Sequence, residues 1–247
     1  MRGTLDNIAT ALLVACSICV TGLAVRREFF PSSPAPSASS IAKPRFLANW
    51  RSFDSVGIVT GSSTAPIRIT EFVDYECPAC RAWNGVLTQF VQRHPNQIAE
   101  VFVHFPLPMH RFSQQAARAV ECATQQGRFQ DLRNLLFAQQ DSFGLKPWGA
   151  FAAAAGVADS ARFARCLIDS ASVARITRGS ILADKLQLSG TPTVLVNGWM
   201  YSTPPTLSEL EAAADRITSG KPVFDSPTLG KEASAAQHAP TLIMGSQ

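Results

Sequence analysis

The tetrapeptide Cys77-Pro78-Ala79-Cys80 stands where a strand-like run ends and a helix-like run begins, and this placement constrains the chain more than any other feature. Ile67–Val73 alternates in the manner of a strand, with Ile67, Ile69, Glu71 and Val73 on one face. Helical sequence follows from Cys77 to about Arg93. A helix N-terminus carries unpaired N–H groups and the positive end of the helix dipole, so it stabilises a thiolate at Cys77 and lowers its pKa. Pro78 suits the first helical position, where its missing N–H leaves nothing unpaired. A spacing of three lets Cys80 reach Cys77 on the same face and resolve a mixed disulfide. The same spacing also fits a structural disulfide or half of a zinc site, although no second Cys or His pair stands at matching spacing.

The surrounding pattern describes an α/β sheet domain with helices inserted into it. Ser55–Thr60 reads as a first strand, and Ala99–Phe105 is the nearly continuous apolar run expected of a central one. Roughly 80 residues of helical pattern follow. One stripe is Phe112, Ala116, Ala119, Val120 and Ala123, and another is Phe129, Leu132, Leu135 and Leu136. The pattern continues through Trp148–Ala155, Ala161–Ile168 and Val173–Leu188. Thr193–Val196 and Trp199–Ser202 form a hairpin around Asn197-Gly198, and a last helix spans Leu207–Ser219.

The folded unit is expected over 53–220, with the helical insertion at about 110–188. Before it, 31–52 reads as a Pro/Ser/Ala-rich linker, and after it 221–247 reads as a disordered tail. In the first 30 residues the uncharged run Ile8–Val25 falls just short of the roughly 20 residues a membrane helix needs. An anchor, a cleaved signal or a lipid-modified Cys16 would each deliver the rest outside the cytoplasm. Cys16 and Cys19 read as apolar residues of this segment. The 247 residues are 46% hydrophobic and 16% charged, which excludes wholesale disorder. A net charge of +4 without a long basic run gives no footprint for nucleic acid.

Four further groups bear on chemistry. A proline opening a strand, as in Ser189-Gly190-Thr191-Pro192-Thr193, can mark an edge or turn, or a cis Thr191–Pro192 bond that leaves the Thr191 backbone open to an extended substrate. Glu71 shares a face with apolar residues; either the strand switches face and leaves it solvated, or it is a partly buried acid of raised pKa serving Cys80. Asp74 and Glu76 read as solvated loop charges, and Trp83 as a packing residue. His104 and His110 flank Phe105-Pro106-Leu107-Pro108; they read as structural residues, with copper binding beside Cys77 and Cys80 the alternative.

Taken together, Glu71-Phe72-Val73-Asp74-Tyr75-Glu76-Cys77-Pro78-Ala79-Cys80, His104-Phe105-Pro106-Leu107, Ala116-Ala117 through Glu121-Cys122-Ala123 with Gln126-Gly127-Arg128-Phe129, and Ser189-Gly190-Thr191-Pro192-Thr193 resemble the DsbA-like branch of the thioredoxin superfamily over about 55–220. The resemblance implies an α/β thioredoxin fold with an inserted helical domain, and a cis Pro192 packed beside Cys77 and Cys80. It implies a thiol-disulfide oxidoreductase in the periplasm or cell envelope that exchanges disulfides with cysteines of exported polypeptides. Cys77 would attack, Cys80 resolve, Glu71 handle the proton, and Thr191 and Pro192 bind substrate. Similar relatives carry a cysteine pair in the insertion, which with an oxidising compartment implies a structural Cys122–Cys166 disulfide. The dithiol is itself the redox group, so no metal or other cofactor is expected. A membrane redox partner would recycle it, and the N-terminal segment would tie the chain to the membrane. Ala79 offers the thiolate no charge or hydrogen bond, which implies a milder oxidant than relatives with His there, and Thr191 resembles the isomerase and reducing relatives. Competing readings are a copper metallochaperone using Cys77, Cys80 and a histidine, and a non-catalytic module that docks peptides beside Pro192.

Overall fold

The computed structural model describes residues 44–225. The N-terminal segment with Cys16 and Cys19, most of the expected linker and residues 226–247 lie outside them. Six strands form one sheet: β1 (Arg45–Phe46), β2 (Ile58–Gly61), β3 (Ile67–Val73), β4 (Ile98–His104), β5 (Thr193–Val196) and β6 (Trp199–Met200), in the order β1-β6-β5-β3-β4-β2. The central pair β3 and β4 is parallel, with Glu71 opposite Phe102 and Val73 opposite His104. The other pairings are antiparallel. A parallel pair needs a crossover, and α1 (Pro78–Arg93) supplies it.

Helix α1 buries Cys80, Trp83, Leu87 and Phe90, spaced three, four and three apart along one stripe. With α7 (Leu207–Thr218), it packs on the face of the sheet that carries Ile67, Ile69, Val194 and Val196. Each such large apolar side chain gains roughly 2 kcal/mol from leaving water. The opposite face, with Phe72, Val101, Val103 and Leu195, receives Trp50, Phe53 and α6 (Ala174–Lys185). Gly179 makes the α6 contact possible, because a Cβ there would lie 2.2 Å from the His104 carbonyl oxygen. Between β4 and α6 stand α2 (Ser113–Thr124), α3 (Phe129–Ala138), α4 (Trp148–Ala154) and α5 (Ser160–Ile168), gathered around Ala116, Ala119, Val120, Leu132, Leu136 and Phe163. The hairpin turn has both central residues at positive φ, 45° at Asn197 and 85° at Gly198, as a two-residue loop between twisted strands requires.

Three boundaries differ from expectation. Order begins before 53: β1 pairs with β6, and Trp50 sits in a 3-10 turn, Trp50–Ser55, with only 2% of its surface exposed. Trp50 and Phe53 are both buried against the sheet, which ties this segment to the fold despite the small-residue composition before it. The insertion is shorter than 110–188, because α6 covers the sheet. Folded structure also passes 220, with Val223 buried and Phe224 packed edge-on against Trp199 and Tyr201.

Candidate active site

Cys77 caps α1 and Pro78 follows at the first helical position. The turn before it closes by a bond from the Cys77 amide to the Asp74 carbonyl oxygen (3.2 Å). From the insertion, Gln140 Nε2 donates to the carbonyl oxygens of Tyr75 (2.7 Å) and Cys77 (3.0 Å), pinning the turn from the far side. Both cysteines are free thiols here, Cys80 sealed and Cys77 7% exposed. The Thr191–Pro192 bond is cis, and Cys77 Sγ lies 3.3 Å from the Thr191 carbonyl oxygen. Residues 114 apart in sequence thus meet at one sulfur.

The two thiols are held in opposite states. A hydrogen bond from the Cys80 thiol is the largest influence on Cys77, and with contacts from Thr191 and the Ala79 and Cys80 amides it overcomes burial, bringing Cys77 down to about 5. Burial, aided by that same hydrogen bond, pushes Cys80 far above the ordinary thiol range. At neutral pH the pair therefore holds one thiolate and one proton.

Glu71 is fully buried, so the strand keeps its face and the acid is not solvated. Arg133 of α3 reaches across from the insertion to donate to Glu71 Oε1 (2.7 Å) and Glu100 Oε2 (2.6 Å), and Trp83 Nε1 donates to Glu71 Oε2 (2.6 Å). Burial is the largest influence on Glu71 and lifts its carboxyl to about 7 against the pull of Arg133, with Glu100 adding to the rise. One guanidinium cannot fully neutralise two buried carboxylates.

Asp74 and Glu76 are not solvated charges. Asp74 is 1% exposed and accepts from the Leu107 amide (2.7 Å), His110 Nδ1 (2.8 Å) and the Glu76 amide (2.7 Å). Glu76 accepts from the Phe112 amide. A loop that must hold a reactive sulfur in place spends its acids on backbone amides rather than on water. His104 Nε2 is paired with Glu121 (2.9 Å), which also takes Arg175 (3.0 Å). Both histidines thus face carboxylates, and among the described residues no three Cys, His, Asp or Glu side chains are grouped to hold a metal. Cys122 and Cys166 are joined by a disulfide between α2 and α5.

Arg133, Gln140 and the Asp74–His110 pair were missed as site residues. Arg133 had left a signal: it follows Phe129 by four beside an apolar stripe, and Glu71 and Glu100 are the only acids in β3 and β4.

A family model described as thioredoxin matches residues 54–216. The chain belongs to the thioredoxin family. Among solved structures, a thioredoxin-like oxidoreductase from Silicibacter pomeroyi superposes with a TM-score of 0.60 at 27% identity, over 69% of this chain and 98% of that one. Wolbachia pipientis alpha-DsbA1 superposes with a TM-score of 0.58 at 20% identity, over 66% and 91%, which makes the fold of this thioredoxin-family chain DsbA-like. A curated relative, the Na(+)/H(+) antiporter NhaA 3 of Salinispora tropica, is 34% identical over 157 residues, 63% of this chain and 24% of the antiporter. The chain spans about a quarter of the length of the curated relatives it matches. No helix among the described residues is long and apolar enough to cross a membrane.

Proposed function

We propose that this chain is an extracytoplasmic thiol-disulfide oxidoreductase acting on cysteines of exported polypeptides. The observation that carries the reading is the asymmetry of the pair: Cys77 is a thiolate at a helix N-terminus, 3.3 Å from the Thr191 carbonyl oxygen, while Cys80 behind it keeps its proton. In the oxidising direction a substrate thiolate attacks Cys77 Sγ, the bond to Cys80 breaks, and Cys80 leaves and takes up a proton. A second substrate thiolate then attacks the mixed disulfide, forming the substrate disulfide and releasing Cys77 as thiolate. Stabilising that thiolate stabilises the reduced form and so favours giving the disulfide away. Thr191 and Pro192 border the attacked sulfur and are the residues assigned to substrate backbone. Glu71, raised by burial to about 7, is assigned the proton of Cys80.

The Cys122–Cys166 disulfide and the apolar N-terminal run support the location, since such bonds persist in oxidising compartments. Two electrons per cycle leave through a membrane redox partner. The copper reading loses ground because His110 is tied to Asp74 and His104 to Glu121.

The test is trapping. Cys80→Ala leaves Cys77 able to attack but removes the intramolecular thiolate that releases substrate. Disulfide-linked complexes with exported proteins should accumulate in cells making Cys80→Ala and dissolve with reductant, and Cys77→Ala should trap none. Absence of complexes in both variants would turn the assignment toward a peptide-binding module.

A further inference from the structure

The loop after β4 is fastened to the cysteine turn by four hydrogen bonds. The Phe105 amide donates to Val73 O (2.9 Å), the Leu107 amide and His110 Nδ1 to Asp74 Oδ2 (2.7 and 2.8 Å), and the Phe112 amide to Glu76 Oε2 (2.5 Å). All three acceptor atoms lie within the four residues that precede Cys77, and the Cys77 amide itself donates to Asp74 O. His110 is thereby held against the turn that carries the attacking sulfur, through Asp74, which bonds both His110 and the Cys77 amide. A carboxylate can only accept, so Nδ1 carries a proton toward Asp74, and Nε2 is the ring position that gains or loses one. The imidazole keeps 19% of its surface exposed, enough to exchange that proton with water.

We propose that His110, oriented by Asp74, is a further member of the redox site: an imidazolium that pairs electrostatically with the Cys77 thiolate, so that reduction of the Cys77–Cys80 disulfide brings proton uptake at His110. Two substrate thiols carry two electrons and two protons. On exchange the Cys77–Cys80 bond breaks and the substrate disulfide forms. Cys80 takes up one of the two protons and becomes a thiol, Cys77 is released as a thiolate, and the second proton goes to His110 Nε2. Ala79 offers Cys77 no cation from within the tetrapeptide; the facing loop supplies one. The charges facing the ring are Asp74, Glu76 and Cys77, all negative, and Arg111 follows it on its own loop. Burial opposes the cation, but the Asp74 hydrogen bond and these charges raise His110 above its ordinary 6.5.

The proposal rests on Cys77 as the attacking thiolate, and its test is separable from that reading. The His110 ring is titrated by NMR in the oxidised and the reduced protein, its signal assigned by loss in His110→Asn. The expected result is a pKa about 1 higher in the reduced protein, because an opposite charge appears nearby. In His110→Gln the Cys77 thiolate should titrate higher than in wild type while Cys80→Ala trapping persists. The same His110 pKa in both redox states overturns the proposal, even if wild-type exchange is normal. A redox-dependent His110 in a protein that traps no substrate supports the pairing and sinks the enzymatic reading instead. Should His110→Asn fail to fold, Asp74→Asn assigns the signal by its downfield-to-upfield shift in both states, and the wild-type comparison stands unchanged.

Discussion

The described residues hold two cysteine pairs, and exposure does not tell them apart: Cys77 and Cys166 are each 7% exposed, Cys80 and Cys122 at most 1%. What differs is the end of the helix. Cys77 caps the start of α1, where unpaired amides and the positive dipole end favour a thiolate. Cys122 in α2 and Cys166 in α5 are each followed by only two more helical residues, at the negative end, where a thiolate is disfavoured. The same chemical group is therefore reactive in one place and inert in the other. The nearby acids follow the same division. Glu71 shares a single arginine with Glu100 and rises to about 7. Beside Cys122, burial of Glu121 is outweighed by His104 and Arg175, and its carboxyl is held below the usual range.

The largest effect separating the pairs should come from deleting the bridged one. The Cys122–Cys166 bond closes a loop with a sequence separation of 44, and constraining the unfolded chain over that length is worth about 4 kcal/mol. A Cys122→Ala/Cys166→Ala double variant should lose about that much in urea unfolding, yet exchange disulfides at near wild-type rate at temperatures where it is folded. If exchange disappears while the fold remains, the division between a reactive and a structural pair is wrong.

The next effect concerns the acids. Because Glu71 is raised in the folded state, protons bind the native form more tightly, and stability falls as pH rises from about 4.5 through 7, by on the order of 3 kcal/mol. Glu121, lowered in the folded state, works with the opposite sign: its contribution is present above about 4.5 and is lost on acidification. Glu71→Gln should flatten the stability profile between pH 4.5 and 7 and leave the acid limb unchanged. An unaltered slope in that window would mean that Arg133 neutralises Glu71 completely.

Much of this was readable in the residues, and the failures have a common cause. Strand β3 and the hairpin β5–β6 followed from period-two alternation and from Asn197-Gly198, whereas the meeting of Thr191 with Cys77 followed only from the family resemblance. Alternation and a turn pair are local signals. Arg133, 62 residues from Glu71, and Asp74, 36 residues from His110, act only after the chain has folded back, and a charged residue in a loop looks the same in sequence whether water or a buried amide will meet it. The early start of the fold was hidden for a similar reason: Arg45 and Phe46 find their strand partners only at Met200 and Trp199. Spacing shows what one element can do alone, whereas ion pairs and edge strands depend on which elements become neighbours.

The smallest expected effect is also the most direct measure of why the pairs differ. The largest influence holding Cys77 near 5 is the hydrogen bond from Cys80, ahead of Thr191 and the helix amides. Two substitutions at Cys80 separate these contributions. Serine keeps a hydroxyl that can donate to the Cys77 sulfur, whereas alanine keeps only the amides and the helix dipole. Followed by thiolate absorbance, Cys80→Ser should titrate well below the free-cysteine value of about 8.5, and Cys80→Ala about 1 higher than Cys80→Ser. Equal values in the two variants, both well below 8.5, would hand the whole effect to the helix N-terminus and make the comparison with Cys122 and Cys166 a matter of helix polarity alone. Values at or above 8.5 in both would remove Cys77 as the attacking thiol, because neither the neighbouring donor nor the helix would then be stabilising its charge.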